Sequence, residues 1–161
     1  MTSTLKTDKL EGVTASGTVQ MPAGHVIQMQ TAKLQSSATV TSTSFVDVGL
    51  SVAITPKFNS SKILLLTSSG SLARSTQYIG LKILRDSTAI HHDYWYQATG
   101  DWVPVTITSS AVDSPSSTSA LTYKIQCYIS GTGTGATLYY NYAGPSTTTY
   151  DATITVMEIA Q

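Results

Sequence analysis

From Val40 onward, the sequence is a series of short segments of strand length separated by clusters of turn-forming residues. In the clearest one, Leu121, Tyr123, Ile125, Cys127 and Ile129 alternate with polar or amphipathic residues. A period of two residues is the side-chain repeat of a β-strand, so this segment predicts a strand with one apolar face. Short strands at regular spacing are typical of a β-sandwich or barrel.

The predicted strands lie near 45–50, 51–54, 62–68, 77–85, 89–96, 102–109, 121–130, 136–142 and 152–159. About eight strands in a domain of this size is typical of a jelly roll. Composition agrees, because the chain has 22 Ser and 26 Thr but only two Glu, so β-branched residues are common and good helix formers are scarce. We therefore predict an all-β protein with a single jelly-roll-like antiparallel β-sandwich over residues 36–161.

Charge and cysteine content exclude several classes of function. Nine basic and nine acidic residues cancel, and neither sign forms a run, which argues against nucleic acid as a partner. There is no signal-peptide pattern and no apolar run of membrane-spanning length, so we expect a soluble protein without membrane insertion. A single cysteine, Cys127, excludes an intrachain disulfide or a cysteine zinc site and fits assembly in a reducing cytoplasm. We predict no cofactor.

Residues 1–35 differ from the rest, because their apolar residues are scattered among Thr, Gly, Lys and Gln. Such a segment buries too little apolar surface to offset its ordering entropy alone. It is either a floppy tail or an extended arm that orders against another chain, and we expect the arm, with a turn at 21–25 and a short strand after it. The residues expected to anchor it are Leu5, Leu10, Val13, Val19, Met21 and Ile27.

Residues 61–90 carry the strongest apolar signal, in two runs on either side of a Ser/Gly-rich break at 68–71. In the first run, apolar residues occupy both parities: Ile63 and Leu65 on one, Leu64 and Leu66 on the other. A strand that is apolar on both faces is expected to be covered on both, by the second sheet and by a partner chain or the arm. This pattern predicts an oligomer.

The most site-like triplet is His91-His92-Asp93. Adjacent strand residues point to opposite faces, so the two histidines cannot easily share a metal within one chain, although three copies of one could meet on a threefold axis. The alternative is an ordinary hydrogen-bonded strand pair. No Gly-x-Ser-x-Gly elbow is present, and the Gly-rich 131–135 segment precedes a strand-like run, where a phosphate loop needs a helix. We predict no enzymatic activity and no catalytic or metal site.

Aromatic residues cluster around the predicted turn at 98–101: Tyr94, Trp95, Tyr96 and Trp102. Aromatic side chains with a polar group supply contact area at small entropic cost, which suits surfaces that bind sugars or proteins. They also fill the cores and subunit interfaces of Leu-poor β proteins. The sequence leaves both interpretations open.

Several segments resemble a tail-fibre-like β-domain of structural proteins of tailed bacteriophages, aquatic phages in particular. The central ones are TSFVDVGLSVAITP at 43–56, SSKILLL at 60–66 and GLKILRDSTAI at 80–90. Further similar segments are LTYKIQ at 121–126, ATITVMEIA at 152–160, LKTDKLEGVT at 5–14 and MPAGHVIQ at 21–28. The resemblance covers most of the chain.

The resemblance implies a non-enzymatic virion protein, assembled in the host cytoplasm and forming a homotrimer. It would be a tail fibre or appendage, or a capsid-decorating protein, whose arm docks on other virion proteins. Only about 35 residues precede the predicted sandwich and no repeat is present, which favours a decorating or head-fibre protein over a long fibre. The alternative function is recognition of a host surface glycan by the aromatic cluster around Trp95.

Overall fold

A computed structural model describes residues 22–74, 77–97, 103–131, 137–141 and 151–161. These residues form ten antiparallel strands and no helix. The strands are β1 (Val26–Leu34), β2 (Ala38–Val40), β3 (Val46–Ile54), β4 (Lys62–Arg74), β5 (Gln77–Arg85), β6 (Thr88–Gln97), β7 (Val103–Asp113), β8 (Leu121–Ile129), β9 (Thr137–Tyr140) and β10 (Ala152–Ile159). Nothing in the described part of the chain is a helix with the length and apolarity needed to cross a bilayer.

The strand order is that of a jelly roll. Sheet B has the order β3-β8-β5-β6. In sheet A, the long β4 pairs with β7 along one edge, while β10 and then β9 follow each other along the other edge. Strand β1 pairs with β10 and β2 with β9, so β1 and β2 together occupy one strand position of sheet A, and β10 and β9 together occupy the position between it and β4. Eight strand positions in two sheets of four result, which confirms the predicted sandwich and explains why ten strands are present.

The core lies between the two sheets. Inward side chains of β8 alternate with exposed or half-buried ones, as the sequence predicts. The largest fully buried side chains are Tyr123, Tyr140, Leu50, Ile63, Leu65, Ile79, Leu81, Ile83, Ile125, Ile129, Leu138 and Ile154. Burial of each aliphatic side chain contributes roughly 1.5–3 kcal/mol to folding. Cys127 is part of this core, and burial raises the pKa of its thiol to about 12, so the thiolate is disfavoured at neutral pH.

The predicted break at 68–71 is wrong, because β4 continues through it to Arg74. Its ladder with β7 is unbroken from Ile63 to Ala73, and Ser69 is buried with its hydroxyl donating to the carbonyl of Ile107 at 3.3 Å. Continuous backbone pairing with β7, flanked by pairing of Ser68 with β10 and of Ser71 with β9, outweighs the low strand propensity of Ser and Gly. The predicted boundary at 50–51 is also wrong: β3 is one strand with an irregularity at Gly49, whose φ of 85° needs glycine.

Strand β1 is the short strand predicted after the turn at 21–25, and it pairs with β10 of the same chain. Ile27 lies in β1 and is half-buried. The other predicted anchor residues, Leu5, Leu10, Val13, Val19 and Met21, lie outside the described residues. The division at residue 35 and the anchoring role of the arm stay predictions.

One polar cluster ties the two sheets together where β5 and β7 end. The carboxylate of Asp113 on β7 accepts bonds at 2.8 and 2.7 Å from one guanidinium nitrogen of Arg85 on β5. It also accepts a bond at 2.7 Å from the Tyr123 hydroxyl on β8. Burial and the neighbouring carboxylate raise the pKa of Tyr123 well above its usual range, so the phenol stays a donor. Each partner of this inter-sheet connection is therefore satisfied.

A second buried carboxylate fixes the loop between β3 and β4. Glu158 on β10 is fully buried, and its Oε1 accepts bonds from the backbone amides of Lys57 at 2.8 Å and Phe58 at 3.2 Å. Its Oε2 accepts a bond at 2.6 Å from the side-chain amide of Gln28 on β1. The same Gln28 nitrogen also donates to the carbonyl of Thr55 at 2.7 Å. One side chain thus connects two strands and a loop.

Candidate recognition surface

The outer face of sheet B carries a group of aromatic side chains, which we call the aromatic surface. Its members are Phe45, Tyr78, His92, Tyr94, Tyr96 and Tyr128. Register brings them together: Tyr78 pairs with Tyr96, and Gly80 lies between Tyr94 on β6 and Tyr128 on β8. The ring centroids of Tyr78 and Tyr96 are 4.8 Å apart, and those of Phe45 and Tyr128 are 4.7 Å apart. These distances are those of favourable tilted aromatic pairs.

Gly80 makes room for the centre of this surface. A Cβ at position 80 would lie 2.0 Å from Cε1 of Tyr128, so the ring occupies the space that any other residue would fill. Tyr128 in turn packs edge-on to Tyr94, with centroids 6.2 Å apart. The glycine therefore serves close packing of a ring over the backbone.

Charge on this face is sparse. The carboxylate of Asp47 accepts bonds from the Lys124 ammonium at 2.9 Å and the Gln126 amide at 2.7 Å. The hydrogen bond from Lys124, and after it the one from Gln126, lowers the pKa of Asp47. The Asp47 carboxylate is therefore ionised at pH 7, and the Lys124 ammonium balances its charge. The ammonium of Lys82 lies 3.9 Å from the centroid of the Phe45 ring, within the range of a cation–π contact.

The exposed rings give this surface its chemical character. Tyr78, Tyr94 and Tyr96 are 56%, 57% and 53% exposed. Each presents an apolar ring face together with a hydroxyl that can donate or accept a hydrogen bond. Such a combination suits a ligand with both apolar C–H faces and hydroxyl groups.

The structure places the four predicted recognition residues differently. Tyr94 and Tyr96 both lie on the aromatic surface. The backbone of Trp95 pairs with Ile79, but its side chain lies outside the description, and so does Trp102 entirely. Sequence reasoning missed Phe45, Tyr78, Lys82 and Tyr128, which come from three other segments of the chain. The sequence pattern does contain a signal for Tyr128, because it falls on the polar face of a strand in which apolar and polar residues alternate.

The two histidines lie on opposite faces of β6, as the alternation predicts. His92 joins the aromatic surface, 5.9 Å from Phe45 between ring centroids. His91 bonds Asp93 at 3.0 Å, and the hydroxyl of Ser109 donates to the other oxygen of Asp93. The carboxylate thus separates the hydroxyl from the imidazole, whereas nucleophile activation requires the imidazole beside the hydroxyl. No group of three potential metal ligands occurs among the described residues.

Asp93 also lines a shallow cleft of about 410 Å³ between the edges of the two sheets. The other lining residues are Tyr94, Val105, Thr106, Ile107 and Thr108. The cleft is open, and one aspartate, one tyrosine, two threonines and two aliphatic residues line it. It offers no convergent set of groups for a reaction.

The outer face of sheet A carries a row of apolar side chains on four neighbouring strands, which we call the apolar row. Met29 pairs with Met157, Met157 with Leu64, and Leu64 with Val112. Met29 is 57% and Val112 61% exposed, and Leu66 beside the row is 41% exposed. The predicted two-sided apolarity of β4 is therefore present, with Ile63 and Leu65 fully buried on its inner face.

Comparison with known proteins gives only distant similarity. No protein-family model matches the chain, and no curated protein sequence matches it. The crystal structure of the infectious bursal disease virus VP2 subviral particle contains a similar chain, with a TM-score of 0.39, 11% identity, and coverage of 84% of this chain and 38% of that chain. The structure of the Gx strain of infectious bursal disease virus gives a TM-score of 0.36, 10% identity, and coverage of 99% and 47%. This chain thus covers less than half of either, and so distant a likeness carries no argument about function.

Proposed function

We propose that this chain is a non-enzymatic structural protein of a tailed-bacteriophage virion that assembles as a homotrimer. In the particle it is a tail-fibre or appendage protein, or a capsid-decorating protein. The observation that carries the proposal is the apolar row, because four in-register apolar side chains on an outer sheet face are typical of a surface that another chain covers. A jelly roll alone does not decide function, so the argument rests on this surface.

The apolar row fits a subunit contact in extent and character. It crosses all four strand positions of sheet A, from Met29 on β1 to Val112 on β7, so it presents a continuous ridge. Covering each half-exposed side chain contributes about 1 kcal/mol to association. The rows that follow along the same face are Thr- and Ser-rich, which confines the apolar contact to one end of the sheet.

The arm is proposed to provide the second contact, with other virion proteins of the capsid or tail. The chain enters β1 beside the C-terminal end of β10, where the amide of Gly24 donates to the carbonyl of Ala160 at 2.9 Å. The residues before Pro22 are therefore attached at the end of sheet A that carries the apolar row. Their scattered apolar residues suit ordering against another chain.

The variant Val112→Asp tests the subunit contact. We expect it to weaken trimer formation at least about a hundredfold, because a charge buried in an apolar interface costs several kcal/mol. The monomer should keep its stability, since Val112 is exposed in the single chain. Sedimentation equilibrium at micromolar concentration measures the effect.

Thr106→Asp is the matched control, because it places the same charge on the same face of β7 three rows away. It should leave the trimer intact. A wild-type chain that sediments as a stable monomer would contradict the proposal, as would equal weakening by both variants.

A second candidate function is recognition of a host surface glycan, favoured by the exposure of Tyr78, Tyr94 and Tyr96. Tyr94→Ala is expected to reduce adsorption to host cells about tenfold while leaving the melting temperature unchanged, because the ring is more than half exposed. Thr122→Ala, an exposed residue at the far end of β8 on the same face, is the control and should change neither. Unchanged adsorption of the Tyr94 variant would count against this function.

A further inference from the structure

Lys82 is the charged residue at the centre of the aromatic surface. It pairs with His92 on β6 and with Gln126 on β8, and the next outward position along β5 is Gly80, between Tyr94 and Tyr128. Its ammonium group lies over the Phe45 ring. A ligand stacked on Tyr94 and Tyr128 therefore comes close to this cation.

The ammonium has hydrogen-bonding capacity to spare. It carries three N–H donors, and a ring face attracts the charge without supplying an oxygen acceptor. The nearby carboxylate of Asp47 is already engaged by Lys124 and Gln126. Among the described residues, no carboxylate forms an ion pair with Lys82.

The partial burial of Lys82 strengthens the electrostatic attraction. The side chain is half-buried among aromatic rings, which lowers the local dielectric and excludes some of the screening water. Lys124 on the same face is paired with Asp47, so the two charges largely cancel and Lys82 supplies the positive potential of the surface. An anionic group is favoured there over a neutral one.

We propose that the aromatic surface binds a carboxylate-bearing sugar, with the carboxylate paired to Lys82 and the sugar ring stacked on Tyr94. The inference rests on the glycan-binding function proposed above and assigns its ligand class. Sialic acids and uronic acids share this chemistry, a pyranose ring with a ring-attached carboxylate. The hydroxyls of Tyr94 and Tyr96 supply hydrogen bonds to the sugar hydroxyl groups.

Titration calorimetry of the full chain with matched pairs of sugars tests the proposal. One pair is 3′-sialyllactose and lactose, and the other is trigalacturonic acid and its methyl ester. We expect the acid of at least one pair to bind about tenfold more tightly than its neutral partner, the effect of one partly screened charge pair. The pair that shows the preference identifies the source of the carboxylate.

Lys82→Gln should abolish this preference while leaving the weaker binding of the neutral sugar, because glutamine keeps a polar side chain of similar reach without the charge. Lys62→Gln, which removes the same charge from an exposed position on sheet A, is the control and should retain the preference. High salt provides a second measurement in the wild-type chain, since it should weaken only the acidic sugar.

The outcomes separate the inference from the function beneath it. Equal binding of acidic and neutral sugars overturns the role of Lys82 and leaves glycan recognition standing. Binding of none of the four sugars overturns both. Binding of polyglutamate as tightly as the preferred acid overturns the assignment to a sugar and indicates an acidic peptide.

Discussion

Asp113→Ala is expected to lower the free energy of unfolding by about 3–5 kcal/mol, the cost of removing one partner from a buried ion pair. The side chains of Asp113 and Arg85 are only 9% and 22% exposed, so the guanidinium left behind loses its counter-charge in a poorly solvated place. The Tyr123 hydroxyl loses its acceptor as well. Because the cluster joins sheet A to sheet B, its loss weakens the contact between the sheets. Urea unfolding measures the change.

The pair formed by Asp47 and Lys124 is the matched control for this prediction. It has a similar distance, 2.9 Å, but its side chains are 52% and 28% exposed. Solvent screening limits such a pair to at most about 1 kcal/mol, so Asp47→Ala should be nearly neutral. Tyr123→Phe should fall between the two, at about 1 kcal/mol. Equal costs for Asp113→Ala and Asp47→Ala would contradict the role assigned to the inter-sheet cluster.

Glu158→Ala is expected to cost about 3 kcal/mol, because it leaves several donors without their acceptor. Lys57 and Phe58 lose the partner of their backbone amides, and Gln28 loses one of the two acceptors of its side-chain nitrogen. The loop that these amides belong to should open locally before the sandwich unfolds. Urea unfolding gives the global cost, and hydrogen exchange of the two amides reports the local opening.

Glu158→Gln separates the loop contact from the charge. Glutamine keeps one acceptor oxygen for the amides of Lys57 and Phe58, so their exchange should stay slow. Its NH2 group would then face the Gln28 nitrogen, which should cost about 1 kcal/mol. Fast amide exchange in the glutamine variant would show that the loop depends on something other than this acceptor.

The fold was largely predictable, because period-two alternation in β8 and β10 follows directly from one buried face. The failures came where tertiary pairing overrides local preference. Ser69 and Gly70 look like a break, but their pairing with β7 holds β4 extended, and β10 and β9 pair with β4 on either side of them. Strand propensity is a property of one segment alone, whereas the backbone hydrogen bonds of a strand depend on the strands beside it in the sheet.

The candidate site was predictable only in part. Tyr94 and Tyr96 stand out because they flank Trp95 in the sequence, and both belong to the aromatic surface. Phe45 and Tyr128 are 83 residues apart in the sequence, and only the register of β8 against β3 and β5 brings their rings to 4.7 Å. Register depends on turns and core packing together, which single segments do not encode.

The apolar row and the aromatic surface lie on opposite sheets of the sandwich, with the core between them. In the proposed trimer, which packs on the apolar rows around a threefold axis, three aromatic surfaces lie on the periphery and face away from the axis. Linked sites of this kind convert later binding events into intramolecular ones, so avidity can exceed the affinity of one site by roughly 10²–10⁴. A shallow surface that binds one sugar weakly would then be enough to hold a whole particle to a densely glycosylated cell.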